Sequence, residues 1–184
     1  RLAFHKVLGI LKSDVGMSIL AKELDKGPDI RHSAIATLVT FENPGTLPIL
    51  ISQLGKAITD EERIMVLEHV MRHGGRDSIK DVVAFIGKKQ DLNYSHFVTS
   101  VAFDALKTIG VETEEVLSFL VSVINAERVD PQLKSLAIES LASFKSMALF
   151  EKLLKQGDDA VSHSVYKAIY SLAADLADKA SQMK

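Results

Sequence analysis

Apolar side chains recur at spacings of three and four residues along nearly the whole chain, which is the period of an amphipathic α-helix. Strand-like alternation is almost absent, and its one short run, 37–41, lies inside a helical pattern. The pattern therefore predicts an all-α fold. The predicted helices span residues 2–12, 15–26, 29–41, 46–58, 60–73, 77–89, 95–109, 113–126, 131–144, 146–156 and 159–180.

The breaks between these segments carry residues that are typical of helix ends. Thr59 followed by Glu62 predicts a capping box, in which each side chain accepts a hydrogen bond from the other residue's backbone N–H. Asp130 before Pro131 predicts an N-cap with proline in the first turn, and Gly74 is expected to end a helix. Further N-cap candidates are Thr46, Ser95 and Ser146, and further C-terminal candidates are Gly27, Gly110 and Gly157.

Many helices joined by short links form either a helix bundle or an array of helical hairpins, and an internal repeat favours the array. Aligning the first helix of each hairpin gives two apolar columns whose members follow at steps of 33, 35, 35 and 28 residues. The columns are Ala34, Leu67, Ala102, Ala137 and Val165, and, four residues later, Leu38, Met71, Leu106, Leu141 and Ile169. The sequence thus predicts an α-solenoid of about five helical hairpins.

Two of the hairpin openings carry a family resemblance. The segment 28–31, PDIR, followed by Ala34 and Leu38, resembles the opening of a HEAT repeat of the short kind also found in phycobilin lyase-like proteins. The segment 130–134, DPQLK, resembles this opening again, with its basic and apolar positions at the same offsets. The resemblance covers about residues 28–175 and implies a protein-binding scaffold. The positions that depart from the basic residue of the pattern are Ile64, Thr99 and Ser162.

A single HEAT-like domain is expected over residues 1–184. Residues 1–27 would form a degenerate N-terminal hairpin, and residues 28–180 would form the repeats. Because the chain begins at Arg1 rather than at methionine, we expect it to be part of a longer protein.

Composition narrows the classes of partner and cofactor. The chain has no cysteine, so a disulfide framework and cysteine-ligated zinc are both excluded. The formal net charge is −2, so no global positive field attracts nucleic acid or an acidic membrane. The apolar stretch 116–124 is far shorter than the roughly 20 residues of a membrane span. We therefore expect a cytoplasmic protein with no membrane span and no cofactor, whose partner is a protein or peptide rather than nucleic acid.

Two histidine-containing groups are candidates for a reactive or metal site. His69 and His73 lie one helical turn apart, as in some zinc sites, but Glu68 precedes His69 and the metalloprotease order is not met. Both rings are expected to project away from the apolar face into solvent, so no metal site is predicted. Ser162 and His163 are adjacent on a helix and point in different directions, so no catalytic residue is predicted.

Aromatic and charged residues of the second helices form the predicted binding surface. Phe85 and Phe119 lie on the flanks of second helices and either pack between hairpins or serve as partly exposed anchors. In the HEAT family that this chain resembles, second helices line a concave surface. In this chain, the outward residues of the second helices form a ridge that mixes both charge signs. This ridge comprises Gln53, Lys56, Asp81, Lys88, Ser118, Phe119, Ser122, Glu151 and Lys155.

Mixed charge suits an extended polypeptide better than a phosphate backbone, so non-catalytic binding of a protein or peptide is the leading function. Two alternatives stay open at this point. One is an enzyme of HEAT architecture, either bilin lyase-like or DNA-repair-like, and the other is a structural or regulatory spacer domain.

Overall fold

The computed structural model describes residues 2–56, 58–88, 94–109, 113–126 and 129–143, together with Tyr166 and Tyr170. Within these residues every regular element is an α-helix and no strand occurs, so the all-α prediction is confirmed. The helices are α1 (Leu2–Leu11), α2 (Asp14–Glu23), α3 (Pro28–Leu38), α4 (Thr46–Leu54), α5 (Asp60–His73), α6 (Arg76–Gly87), α7 (His96–Ile109), α8 (Glu114–Asn125) and α9 (Pro131–Ser143).

Each of these helices matches a predicted one. The largest difference in a boundary is four residues, at the end of α4, which was expected at residue 58 and is found at Leu54. Gly55 follows as the C-cap, and this residue has a low helix propensity. The predicted helices 146–156 and 159–180 lie outside the described segments, apart from the two tyrosines.

Helix-end chemistry accounts for several of these boundaries. At the start of α5, Thr59 Oγ1 accepts from the Glu62 N–H at 3.2 Å and Glu62 Oε2 accepts from the Thr59 N–H at 2.7 Å, so the predicted capping box is confirmed. Ahead of α9, Asp130 Oδ1 accepts from the Gln132 N–H at 2.9 Å. Ser95 Oγ accepts from the backbone N–H of residue 98 at 3.4 Å, at the start of α7. These ends are fixed by interactions within one helical turn, which is why the sequence reveals them.

Two of the predicted caps are wrong. Thr46 is the first residue of α4 rather than its N-cap, and its hydroxyl donates to the carbonyl of Asn43 at 2.7 Å. Gly27 precedes α3 as the N-cap instead of closing α2, whose C-cap is Leu24. The candidates at residues 110, 146 and 157 lie outside the described residues.

Gly74 ends α5, as predicted, and its backbone N–H donates to the Val70 carbonyl at 2.7 Å. A Cβ atom on Gly74 would overlap that carbonyl oxygen, so the last turn of α5 would have to shift. We expect Gly74→Ala to lower the free energy of unfolding by about 1–3 kcal/mol, as measured by chemical denaturation. Gly55→Ala, where a Cβ atom meets nothing within 4 Å, is the control and should change it by about 0.5 kcal/mol or less. Equal losses at the two glycines would contradict this explanation.

The chain divides into two compact units, residues 1–105 and residues 106–184. In the first unit, the first helices of successive pairs contact one another in a row, α1 with α3 and α3 with α5. The second helices α4 and α6 also contact each other, and α4 packs in addition against α3 and α5. In the second unit, α8 packs against α9.

The aligned apolar columns lie in the interior. All described members of the first column are buried, and so are the described members of the second column except Met71, which is half-buried. Val165 and Ile169 lie outside the described residues. Because small residues allow neighbouring helices to approach closely, the buried alanines Ala34, Ala102 and Ala137 of the first column fit helix-on-helix packing.

A set of polar contacts joins each helix pair of the first unit to the next one along the chain. Their partners are separated by 28, 29, 31, 31 and 35 residues. We call them the inter-pair contacts; they are His5–Ser33 at 3.0 Å, Asp14–Asn43 at 3.2 Å, Asp25–Lys56 at 2.7 Å, Arg31–Glu62 at 3.2 Å and Asp60–Ser95 at 3.1 Å. These separations match the repeat length seen in the apolar columns, whereas a further contact between helix pairs, that of His69 with Thr46, spans only 23 residues.

Candidate interaction surface

Helix α6 presents a charged face and buries the opposite one. Asp77, Asp81, Ala84 and Lys88 follow one another at helical spacing and are all exposed, while Ile79, Val82, Phe85 and Ile86 are buried. Asp81 and Lys88 are seven residues apart and so lie on the same face, roughly 10 Å apart along the axis. Both residues of the predicted ridge in this helix are therefore accessible to a partner.

Lys56, which follows α4, is also exposed. Its Nζ donates to Asp25 Oδ1 at 2.7 Å, and the side chains of Lys56 and Asp25 are 46 % and 74 % exposed. The hydrogen bond from Lys56, together with its charge, lowers the pKa of Asp25 below its ordinary value. An exposed pair of this kind contributes little to stability, so a partner carboxylate can replace Asp25 at Lys56 with little loss.

Gln53 is not part of an exposed ridge, because its side chain is only 3 % exposed. The prediction of an outward position is wrong because α4 packs against three helices and buries a wide arc that also includes Thr46, Leu50 and Leu54. Gln53 Nε2 donates to Ser52 Oγ at 3.0 Å, and no hydrogen bond reaches its Oε1 from the described residues. The exposed polar residue of this turn is Ser52, which the sequence reading missed.

In the second unit, α8 carries Ser118, Phe119 and Ser122. The two serines are exposed and Phe119 is half-buried, while Val116 and Leu120 of the same helix are buried. Ser122 Oγ donates to the carbonyl of Phe119 at 2.7 Å. Phe119 therefore retains surface that a partner can contact. Glu151 and Lys155, the remaining predicted ridge residues, lie outside the described part of the chain.

Phe85 is a packing residue and not an anchor. It is buried and its ring stacks on Tyr94, with ring centroids 4.5 Å apart, and the Tyr94 hydroxyl donates to the Phe85 carbonyl at 3.2 Å. Burial raises the pKa of Tyr94 above its ordinary value. The guanidinium of Arg63 lies 5.6 Å from the Tyr94 ring centroid and donates to the Lys56 carbonyl at 3.2 Å. This cluster fixes the chain at the end of α4, from which the Lys56 side chain extends.

His69 is fully buried, so the prediction that its ring faces solvent is wrong. Its Nε2 lies 3.0 Å from Thr46 Oγ1. Since that hydroxyl already donates to the Asn43 carbonyl, it accepts here, and His69 is neutral with its proton on Nε2. The sequence pattern did not reveal that α4 covers this side of α5.

The surroundings of His69 disfavour its charged form. Burial is the largest cause, and the nearby His73, whose ring centroid lies 4.6 Å away, adds to it, as does Arg72. The backbone of Val39 favours protonation weakly, although no described atom meets hydrogen-bond geometry with His69 Nδ1. The result is a pKa lowered to about 4. His69 thus acts as a buried polar link between α5 and α4.

Within the described segments, no three side chains among histidine, cysteine, aspartate and glutamate are arranged to hold a metal ion. None of the helices described above is both long enough and apolar enough to cross a bilayer. No family model matches the chain, and comparisons with curated protein sequences and with solved structures give no match either.

Proposed function

We propose that the chain is an array of HEAT-type helical hairpins that binds a protein or peptide without catalysing a reaction. The observation that carries the proposal is the set of inter-pair contacts, which recur at separations of 28 to 35 residues in the first unit. In an array each repeat contacts only its neighbours, so polar contacts at about one repeat length are expected. A bundle has no reason to repeat such contacts at about one repeat length.

The order of helix contacts supports the same proposal. First helices contact first helices in the row α1, α3 and α5, and the second helices α4 and α6 contact each other. In an array of this kind, the outward residues of α4 and α6 would share one side of the first unit. Such surfaces are what repeat proteins use to bind extended partners.

The charges of this side favour a polypeptide as the partner. Lys56 and Lys88 supply donors for carboxylates and backbone carbonyls, and Asp81 supplies an acceptor for amides and basic side chains. A phosphate backbone would instead require a surface of mostly one sign. The proposed binding residues of the first unit are Lys56, Asp81 and Lys88.

Peptides selected from a display library against the protein test this proposal. Lys56→Glu combined with Lys88→Glu should weaken the binding of a selected peptide by about tenfold or more, measured by fluorescence anisotropy, since two charge pairs are reversed. Both side chains are at least partly exposed, so the melting temperature should change little.

Lys6→Glu combined with Lys12→Glu is the matched control, because it changes the net charge equally at exposed positions on and just after α1, which is a first helix. Binding of the selected peptide should be retained in this control. If both double variants weaken binding equally, the effect is one of net charge and the proposed surface is wrong.

A further inference from the structure

Helix α1 presents an apolar face that nothing in the described structure covers. Phe4, Val7, Ile10 and Leu11, which we call the α1 face, are between 50 % and 81 % exposed. Their spacing of three and four residues places them along one side of the helix. Contiguous exposed apolar surface of this kind is uncommon on soluble proteins and marks a contact site.

The opposite side of α1 already packs as an inner helix does. His5 is buried and its Nδ1 lies 3.0 Å from Ser33 Oγ of α3. Gly9 allows close approach, because a Cβ atom there would lie 3.0 Å from Thr37 Cγ2. The α1 face therefore continues the row of helices α1, α3 and α5, and the next member of such a row is another helix.

The charges that residues 2–13 carry have one sign. Lys6 and Lys12 are exposed, and this segment contains no aspartate or glutamate. The nearest acidic residue along the sequence, Asp14, begins α2 and accepts a hydrogen bond from Asn43. In the contact between α3 and α5, a basic side chain meets an acidic one, as Arg31 pairs with Glu62. A helix whose charges complement Lys6 and Lys12 carries acidic residues.

We propose that the α1 face binds an amphipathic helix of a partner protein, with an apolar stripe flanked by aspartate and glutamate. The i, i+3, i+7 spacing of Phe4, Val7 and Leu11 is the pattern by which helices bind apolar helical surfaces. A second copy fits less well, because two-fold packing of α1 on itself would bring the lysines of both copies together. An anionic membrane fits less well, because the net charge of −2 gives no long-range attraction. This inference does not depend on the surface proposed for the second helices.

Two synthetic peptides of about 18 residues test the proposal, each with leucine at helical spacing along one side. One carries glutamate at the flanking positions and the other carries lysine. The wild-type protein should bind the glutamate peptide at least about tenfold more tightly than the lysine peptide, and added salt should weaken this binding. Lys6→Glu combined with Lys12→Glu should reverse the preference between the peptides.

Phe4→Ser combined with Ile10→Ser should weaken binding of the glutamate peptide by about tenfold or more. Both residues are at least half exposed, so the helical circular dichroism signal and the melting temperature should be retained. Phe97→Ser, on the equally exposed aromatic side chain of α7, is the control and should leave binding unchanged.

Three results would overturn the proposal. The first is that the wild-type protein binds neither peptide, or binds the glutamate peptide regardless of changes in α1. The second is self-association in analytical ultracentrifugation that is lost in the Phe4→Ser, Ile10→Ser variant, since this assigns the face to a second copy. The third is co-sedimentation with phosphatidylserine vesicles that the same variant abolishes, since this assigns the face to a membrane.

Discussion

Lowering the pH from 7 to 4 should reduce the free energy of unfolding by about 3 kcal/mol through His69 alone. The pKa of this residue is about 4 in the folded chain, because the ring is buried and near His73, and about 6.5 in an unfolded chain. A pKa that is depressed by folding means that the unfolded state binds the proton first. The contribution of His69 is therefore fully present above pH 6.5 and is lost as the pH falls towards 4.

The variant His69→Gln separates this effect from ordinary acid denaturation. The glutamine amide can still donate to Thr46 Oγ1 but does not titrate, so the decline in stability between pH 6.5 and 4 should largely disappear. Urea denaturation at intervals of half a pH unit measures how steeply the free energy of unfolding falls with pH. His32→Gln, on the half-buried histidine of α3, leaves His69 in place and should retain the decline. If His69→Gln leaves the pH dependence of the free energy of unfolding unchanged, the buried ring is not the source of that dependence.

Arg31→Met should destabilise the chain by about 2–3 kcal/mol, because it leaves the carboxylate of Glu62 buried without its counter-charge. Glu62 is 1 % exposed and accepts from Arg31 Nε at 3.2 Å and from Arg31 Nη2 at 3.3 Å. Burial raises the pKa of Glu62, but the hydrogen bonds from Arg31 and the Thr59 backbone outweigh it, and the pKa is lowered. Without Arg31 this pKa should rise, which a carboxyl-detected NMR titration measures.

A second substitution distinguishes the buried charge from lost packing at Arg31. Glu62→Gln keeps the acceptor that the Thr59 N–H uses in the capping box and removes the charge. Added to Arg31→Met, it should therefore recover about half or more of the lost stability. In the wild-type background the same change should be destabilising, because it breaks the ion pair. No recovery in the double variant would mean that Arg31 contributes through packing rather than through its charge.

Helix positions could be predicted because they depend on neighbours within a turn or two. The capping box at Thr59 and the end of α5 at Gly74 involve only residues of the same helix and its boundary. The buried positions of the aligned apolar columns could also be predicted from the sequence, because the buried residues of a helix keep a period of 3.6 residues in any packing. The sequence separation of the residues that form the inter-pair contacts matches the repeat length found in those columns.

What the sequence could not predict depends on which helices surround a given one. The helical period of the sequence predicts that Gln53 and His69 face solvent, because each lies beside the apolar face of its helix. In the fold α4 contacts α3, α5 and α6, and α5 is covered by α3 and α4, so the buried arcs are wider than a two-helix hairpin requires. The polar residues within those arcs become interior links, as the contact between His69 and Thr46 illustrates. Whether such a polar residue is buried or exposed therefore depends on which helices pack around it, and the local sequence does not specify those helices.

The position of a bound peptide is the most direct test of the proposed function. Backbone amide NMR signals of the protein would be followed while a display-selected peptide is titrated in. We expect changes at residues 81–88 of the first unit, with no change at the control positions Lys6 and Lys12. Changes confined to residues 4–11 would contradict the second-helix surface and place binding on the α1 face instead.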